Sequence, residues 1–263
     1  MWRSAGCPPD GFSADGQIWG NPLYDWETMA GTDFAWWKQR LSSSFEMYDV
    51  VRIDHFRGLD HYYAVPYGAK TAKDGRWKPG PGMNFIKTIQ QTMPDARIIA
   101  EDLGFLTDSV HELLAASGYP GMKLVQFAFD SRIKVLERDT PESYGPNMVV
   151  YPGTHDNDTL KGWCKTAPRE SVRDAMAYLG VRRKSDLPAG MIRLALQSSA
   201  SLAVIPAQDW LGLGSEARMN TPGAIGGNNW RWRLNQKTLT SRLAGRIAYQ
   251  TALFKRCEGT KVL

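Results

Sequence analysis

Three short segments place a carboxylate at the end of an apolar run, and carboxylates in such positions are suited to acid, base or nucleophilic work. The first is Val51-Arg52-Ile53-Asp54-His55-Phe56-Arg57-Gly58, the second Arg97-Ile98-Ile99-Ala100-Glu101-Asp102-Leu103-Gly104, and the third Val149-Val150-Tyr151-Pro152-Gly153-Thr154-His155-Asp156-Asn157-Asp158. The two-residue period of a strand puts Arg52 and Asp54 on one face, where a guanidinium favours an ionised carboxylate. Taken singly, each has a plainer explanation. Arg52 and Asp54 can form a structural ion pair, Asp156 with Asn157, Asp158 and Thr159 can cap a helix, and Glu101 can begin a polar loop. Three apolar strands that each end in acid are what the catalytic face of a parallel α/β barrel presents.

The elements that would position these groups alternate. Strands are expected at 48–54, 97–101, 122–129, 147–151 and 201–206, and helices at 33–47, 83–92, 107–117, 169–179, 189–199 and 237–256. Alternation of this kind predicts right-handed βαβ units and a parallel sheet. Residues 1–32, rich in Gly, Pro, Asp and aromatics, read as a loop region without a strand. Five barrel-type strands fall short of the eight of a closed barrel, so the expected fold is α/β, a partial (β/α)8 TIM barrel with an open edge. The chain then begins in the middle of the barrel, and 1–263 is one catalytic-barrel unit, with the βα units in 33–263.

The 263 residues are 43% apolar, 22% charged and 11% aromatic, enough for a well-buried soluble core. The net charge of +5 is spread over mixed-sign segments. The densest basic pieces, Val181-Arg182-Arg183-Lys184 and Arg231-Trp232-Arg233, are short, so no nucleic-acid role is expected. Cys7, Cys164 and Cys257 are odd in number and far apart, which suits reduced thiols in a cytoplasmic protein. No apolar stretch approaches membrane-spanning length, and no signal-type apolar run follows Met1. Gly212-Leu213-Gly214-Ser215-Glu216-Ala217 lacks the following strand of a dinucleotide site. Asp156-Asn157-Asp158 lacks the glycine and glutamate of a calcium loop, and His111-Glu112 lacks the second zinc histidine. No metal and no cofactor are expected.

Five motifs, in order along nearly the whole chain, carry a resemblance. They are Pro8-Pro9-Asp10-Gly11-Phe12-Ser13-Ala14-Asp15-Gly16-Gln17-Ile18-Trp19-Gly20-Asn21-Pro22-Leu23-Tyr24, Arg52 to Gly58, Ala100-Glu101-Asp102-Leu103-Gly104, Gly153 to Thr159, and Met219-Asn220-Thr221-Pro222-Gly223. With these the chain resembles the 4-α-glucanotransferases, or amylomaltases, of the α-amylase superfamily. The resemblance implies transfer of an α-1,4-glucan segment to the 4-hydroxyl of an acceptor sugar, with malto-oligosaccharides as donor and acceptor. It implies Asp54 as the nucleophile that forms a covalent glucosyl intermediate and Glu101 as acid/base. Asp156 would stabilise the oxocarbenium-like transition state, with Arg52 keeping Asp54 charged.

Residues 1–32 would be the acceptor-side loop region, with Phe12 and Trp19 under a sugar face and Asp10, Ser13 and Gln17 on its hydroxyls. His55, Asp102, Phe127, His155 and Asn220 would make further sugar contacts. Gly11 stands where the family commonly has an aromatic residue. Family members are longer, and two other outcomes stay open: an α-amylase-like hydrolase with the same three acids, or an inactive glucan-binding fragment. An open barrel edge would also favour self-association.

Overall fold

The computed structural model describes residues 3–9, 13–104, 106–135 and 138–257. The chain divides into two compact units, Met1–Gly121 and Met122–Leu263.

The first unit opens with strands β1 (Arg3–Cys7) and β2 (Gln17–Pro22), so the expectation that 1–32 holds no strand is corrected. Helices α1 (Trp26–Gly31) and α2 (Ala35–Phe45) lead into β3 (Val51–Ile53). Strands β4 (His61–Pro66) and β5 (Arg76–Pro79) follow, then α3 (Gly82–Thr92), β6 (Ile98–Ala100) and α4 (Asp108–Ser117). The expected helices at 83–92 and 107–117 are thus present nearly residue for residue.

Strands β2, β1, β4 and β5 form an antiparallel sheet in that order. Its sequence is hard to read as sheet because glycines and prolines interrupt short strands. Gly6 shows why: it pairs with Ile18, and a β-carbon there would lie 2.2 Å from the Gln17 carbonyl oxygen. Gly6→Ala should therefore destabilise this unit by about 1–3 kcal/mol through overpacking against backbone. Urea unfolding followed by circular dichroism checks it, and an unchanged midpoint would show that the strands separate at no cost.

Separately, β3 pairs with β6 in parallel, Val51 with Ile98 and Ile53 with Ala100. Phe85, Ile86 and Ile89 on α3 recur at helical spacing and are buried with Phe34, Leu41, Phe56, Ile98 and Leu113. α4 stops at Gly118, whose φ of 68° is the left-handed cap that glycine adopts without strain.

β7 (Gly121–Leu124) begins on the last residue of the first unit, and the second unit continues with β8 (Met148–Tyr151), α5 (Leu160–Thr166), α6 (Arg169–Leu179), α7 (Leu187–Gln197), β9 (Leu202–Ala203), α8 (Ala207–Trp210) and α9 (Ser241–Leu253). The strands are ordered β7-β8-β9, with β8 and β9 parallel. Val125, Phe129, Val150, Leu160, Val172, Leu187, Met191 and Leu194 form its core. The expected strand 122–129 stops at Leu124, because the chain turns into a 3-10 segment at Phe127–Phe129. The expected strand 201–206 shrinks to two residues. Among the described residues no helix is long and apolar enough to cross a membrane.

Candidate active site

The parallel register that pairs Ile53 with Ala100 makes Asp54 and Glu101 the next residues on adjacent strands, at the same C-terminal end. The ladder continues one step beyond the strands: the Glu101 amide donates to the Ile53 carbonyl at 2.9 Å, and the Phe56 amide donates to the Glu101 carbonyl at 2.9 Å.

Both oxygens of the Glu101 carboxyl are held. Oε2 accepts the His55 amide at 2.7 Å and Oε1 the Leu103 amide at 2.8 Å. His55 reaches that position through a left-handed backbone, φ 51°, a conformation costing of order 1 kcal/mol for a residue with a β-carbon. Burial pushes the Glu101 carboxyl above its ordinary value. The Leu103 and His55 amides pull it back, the Asp54 charge raises it further and Arg52 opposes that rise. Desolvation wins.

Asp54 differs from its neighbour. Its carboxylate is 75% exposed and forms an ion pair with Arg52. The apolar run before it is only half-buried: β3 is intermediate in exposure throughout, and Asp54 lies just past its end. His55 is pushed down to about 4, first by burial and then by the Arg57 charge, with Asp54 opposing. Its imidazole is therefore neutral near neutral pH. Its Nε2 is buried without a hydrogen-bond partner among the described residues, and the Trp19 ring stands edge-on to it at 4.9 Å.

Trp19 and Gln17 lie on β2 rather than in a loop, and the Trp19 indole donates to Gln17 Oε1 at 3.1 Å. Trp19 is 39% exposed, so part of its face is open to a ligand. Ser13 donates its hydroxyl to the Gly16 carbonyl at 2.6 Å and closes the turn before β2. Asp10 and Phe12 lie outside the described residues. Asp102 is buried, and Gly121 packs so close that a β-carbon there would be 2.6 Å from Asp102 Oδ2.

In the second unit, Asp156 sits in the loop after β8. Its Oδ1 accepts from Asn220 Nδ2 at 2.6 Å, its carbonyl accepts from Arg218 at 2.6 Å, and its Oδ2 is 3.4 Å from His155 Nε2. The loop is shaped from within by Asn157, whose Oδ1 accepts the Thr154 amide at 2.8 Å and the Thr154 hydroxyl at 3.0 Å. It is tied from outside by Gln126, which donates to the Asp158 carbonyl at 2.8 Å. Buried Asp209 receives the Leu160 amide at 2.7 Å, and burial raises its carboxyl to about 6. A cavity of about 150 Å³ opens between this loop, Asp209 and Arg218.

His155 packs against Trp230, ring centroids 5.2 Å apart. Phe127 is half-buried at the start of the 3-10 segment, not at a strand end. Sequence reasoning singled out Asn220 but missed Arg218, Gln126, Asp209 and Trp230. Only Asp209 carried a signal, as an acid following the apolar run 202–206. Among the described residues no group of three or more His, Cys, Asp or Glu side chains could hold a metal ion.

A buried carboxyl with a raised pKa beside an exposed, arginine-paired carboxylate can divide the work of proton transfer and nucleophilic attack between them. Such a pair at the C-terminal ends of parallel strands is the layout of α/β proteins that process glycosidic bonds. Comparison with known proteins shows which family the chain is similar to. The family described as 4-alpha-glucanotransferase matches residues 1–240. The 4-alpha-glucanotransferase of Clostridium butyricum is 44% identical over 259 residues, 97% of this chain and 52% of its own length. That of Synechocystis sp. is 45% identical over 257 residues, 96% of this chain and 50% of its own. The solved structure of amylomaltase from Streptococcus agalactiae in complex with acarbose superposes with a TM-score of 0.90 at 35% identity, over 96% of this chain and 51% of that one. The chain belongs to the 4-alpha-glucanotransferase family. It spans about half the length of the curated relatives it matches.

Proposed function

We propose that this chain carries the catalytic carboxylates of a 4-α-glucanotransferase that acts on α-1,4-glucans and malto-oligosaccharides by a retaining mechanism. The observation that carries the proposal is the Asp54–Glu101 pair: adjacent in register, opposite in exposure, and coupled electrostatically. Family membership and the relative solved with acarbose support the substrate class.

In this reading Asp54 attacks the anomeric carbon. Glu101, whose carboxyl burial pushes up, gives its proton to the departing glycosidic oxygen, and the glucan is left joined to Asp54 through an ester. Glu101, now ionised, takes the proton of the acceptor 4-hydroxyl, whose oxygen attacks the same carbon and releases Asp54. Two displacements restore the original anomeric configuration. Asp156, fixed by Asn220 and Arg218, is assigned to stabilise the oxocarbenium-like transition state. Arg52 keeps Asp54 placed and charged.

Trp19, with Gln17, is assigned to the acceptor, where an apolar ring excludes water that would otherwise hydrolyse the intermediate. Asp10, Phe12, Ser13, His55, Asp102, Phe127, His155 and Asn220 are assigned to sugar contact on motif position. The Ser13 and Asn220 bonds described above must then be shared with the ligand or exchanged for it.

The test is a chimera in which these 263 residues replace the matching segment of the Clostridium butyricum relative, incubated with maltotriose. Glucose together with oligosaccharides longer than maltotriose is the expected product set. A folded chimera that yields only shorter sugars would make the protein a hydrolase. One that binds maltotriose without changing it would make the segment a glucan-binding fragment.

The architectural part of the proposal is that β3 lies at the open edge of a partial (β/α)8 barrel. Its supports are that β3 pairs with β6 alone among the described strands of its sheet, and that Met47, Tyr48 and Val50 just before it are exposed. An unpaired strand edge next to apolar surface invites self-association. Sedimentation of the 263-residue protein should therefore show concentration-dependent oligomers, and a monomer across the soluble range would remove the open edge.

A further inference from the structure

The second unit holds another cavity, of about 1010 Å³, between α5, α7, α8 and α9, which the proposed reaction does not use. Five cations from three segments line it: Lys161 and Lys165 one turn apart on α5, Lys184 before α7, and Arg242 and Arg246 one turn apart on α9. None of the five is in an ion pair among the described residues. Among the described residues the single acid in the lining is Asp209, and its carboxylate is turned to the Leu160 amide. Its raised pKa has burial as the first cause, opposed by that amide, with the Asp158 charge adding to the rise, whereas Lys161 and Lys165 act on Glu216, whose carboxyl is held below its ordinary value first by backbone amides and then by these two charges. Glu216, outside the lining, offsets part of the charge of Lys161 and Lys165, and the five exposed cations still outnumber the acids beside them, a surplus at the mouth of the cavity that attracts an anion.

Two further features narrow the anion. The first turn of α9, capped by the Thr240 hydroxyl on the Leu243 amide at 3.2 Å, faces the cavity with Thr240 and Arg242, and the positive end of a thirteen-residue helix favours phosphate. The Trp210 ring also lines the cavity, with the Arg246 guanidinium 5.9 Å from its centroid and bonded to the Trp210 carbonyl. An indole flanked by a guanidinium is a platform for a flat ring. A volume near 1000 Å³ is at the upper end of what small-molecule sites use, roughly 300–1000 Å³, and exceeds the needs of a simple ion.

We propose that this cavity is a binding site for a nucleoside polyphosphate, its phosphates on the α5 and α9 cations and its base against Trp210. The site is distinct from the carboxylate pair and requires neither Asp54 nor Glu101.

Calorimetry on the 263-residue protein with ATP tests this, with tripolyphosphate and adenosine as separate arms. ATP should bind more tightly than tripolyphosphate, and both more tightly than adenosine. Lys161→Ala/Lys165→Ala on α5 and Arg242→Ala on α9, made as separate proteins so that one still reports if the other fails to fold, should each weaken ATP about tenfold or more. Trp210→Ala should weaken ATP while leaving tripolyphosphate unchanged. Lys70→Ala/Lys87→Ala, which removes the same charge from the first unit, should change nothing. No ATP binding, or equal losses in the cavity and control variants, would overturn the site. Tripolyphosphate binding as tightly as ATP would overturn the nucleoside part and leave a polyphosphate site.

Discussion

Asp54→Asn, made in the chimera, is expected to lower glucosyl transfer by roughly 10⁴–10⁶-fold, the range over which single members of a nucleophilic apparatus act. An amide of nearly the same shape cannot form the ester intermediate. The fold should not change: Asp54 is exposed, and its ion pair with Arg52 is worth at most about 1 kcal/mol at such a surface. A large loss of turnover with an unchanged melting temperature separates chemistry from stability. Azide should partly restore cleavage in an Asp54→Gly variant and give a glycosyl azide of inverted configuration, since only one displacement then occurs. Wild-type turnover in the Asp54→Asn protein would remove the nucleophile assignment.

Glu101→Gln should cost roughly 10²–10⁴-fold, the usual contribution of a positioned acid/base. Its pattern is the informative part. Donors whose leaving group needs no proton, such as a glucosyl fluoride, should still glycosylate the enzyme. Azide, which needs no base, should now give a product of retained configuration. The amide also disturbs its surroundings, because two backbone N–H groups converge on the carboxyl and the glutamine presents one oxygen. A loss of about 1–2 kcal/mol in stability is therefore expected beside the kinetic change.

In the unsubstituted chimera, Glu101 must be protonated to act as acid. Its folded pKa is raised, so activity should persist above the ordinary carboxylate range and fall as pH rises through the Glu101 value. The linkage has the same sign: a raised carboxyl binds its proton more tightly when folded, so its contribution to stability is present below the unfolded value and lost as pH rises through the folded one. His55 acts oppositely. Depressed to about 4, it contributes stability above its unfolded value near 6.5 that is lost as pH falls toward 4.

The positions of Asp54 and Glu101 are legible in the sequence because Val51-Arg52-Ile53 and Ile98-Ile99-Ala100 are apolar runs closed by acid, and parallel pairing does the rest. Helices α3, α4, α6 and α7 are legible through apolar residues at helical spacing. The antiparallel sheet is not. Gly6 fits only because it lacks a side chain, and β2 runs into Pro22, so both strands present the residues that normally mark turns. Nor could the sequence show how Glu101 is held. One of its two donors comes from the left-handed backbone at His55, a conformation that no residue type other than glycine advertises. The exposure of Asp54 was equally hidden, since alternation reports which face a residue occupies and not what covers that face. Asp209 and Arg218 support the Asp156 loop through single bonds to backbone across 49 and 62 residues, a separation no local pattern encodes.

The central claim is that Asp54 becomes covalently attached to sugar while Glu101 supplies and removes the proton. Intact-mass measurement of the Glu101→Gln chimera after mixing with α-maltotriosyl fluoride addresses it directly, because that donor needs no acid to react and the variant lacks the base that would release the product. The account predicts an added maltotriosyl mass, located by peptide mapping on Asp54 and absent when Asp54→Asn is combined with it. A label on any other residue, or fluoride release from the folded variant with no adduct at any time, would contradict it.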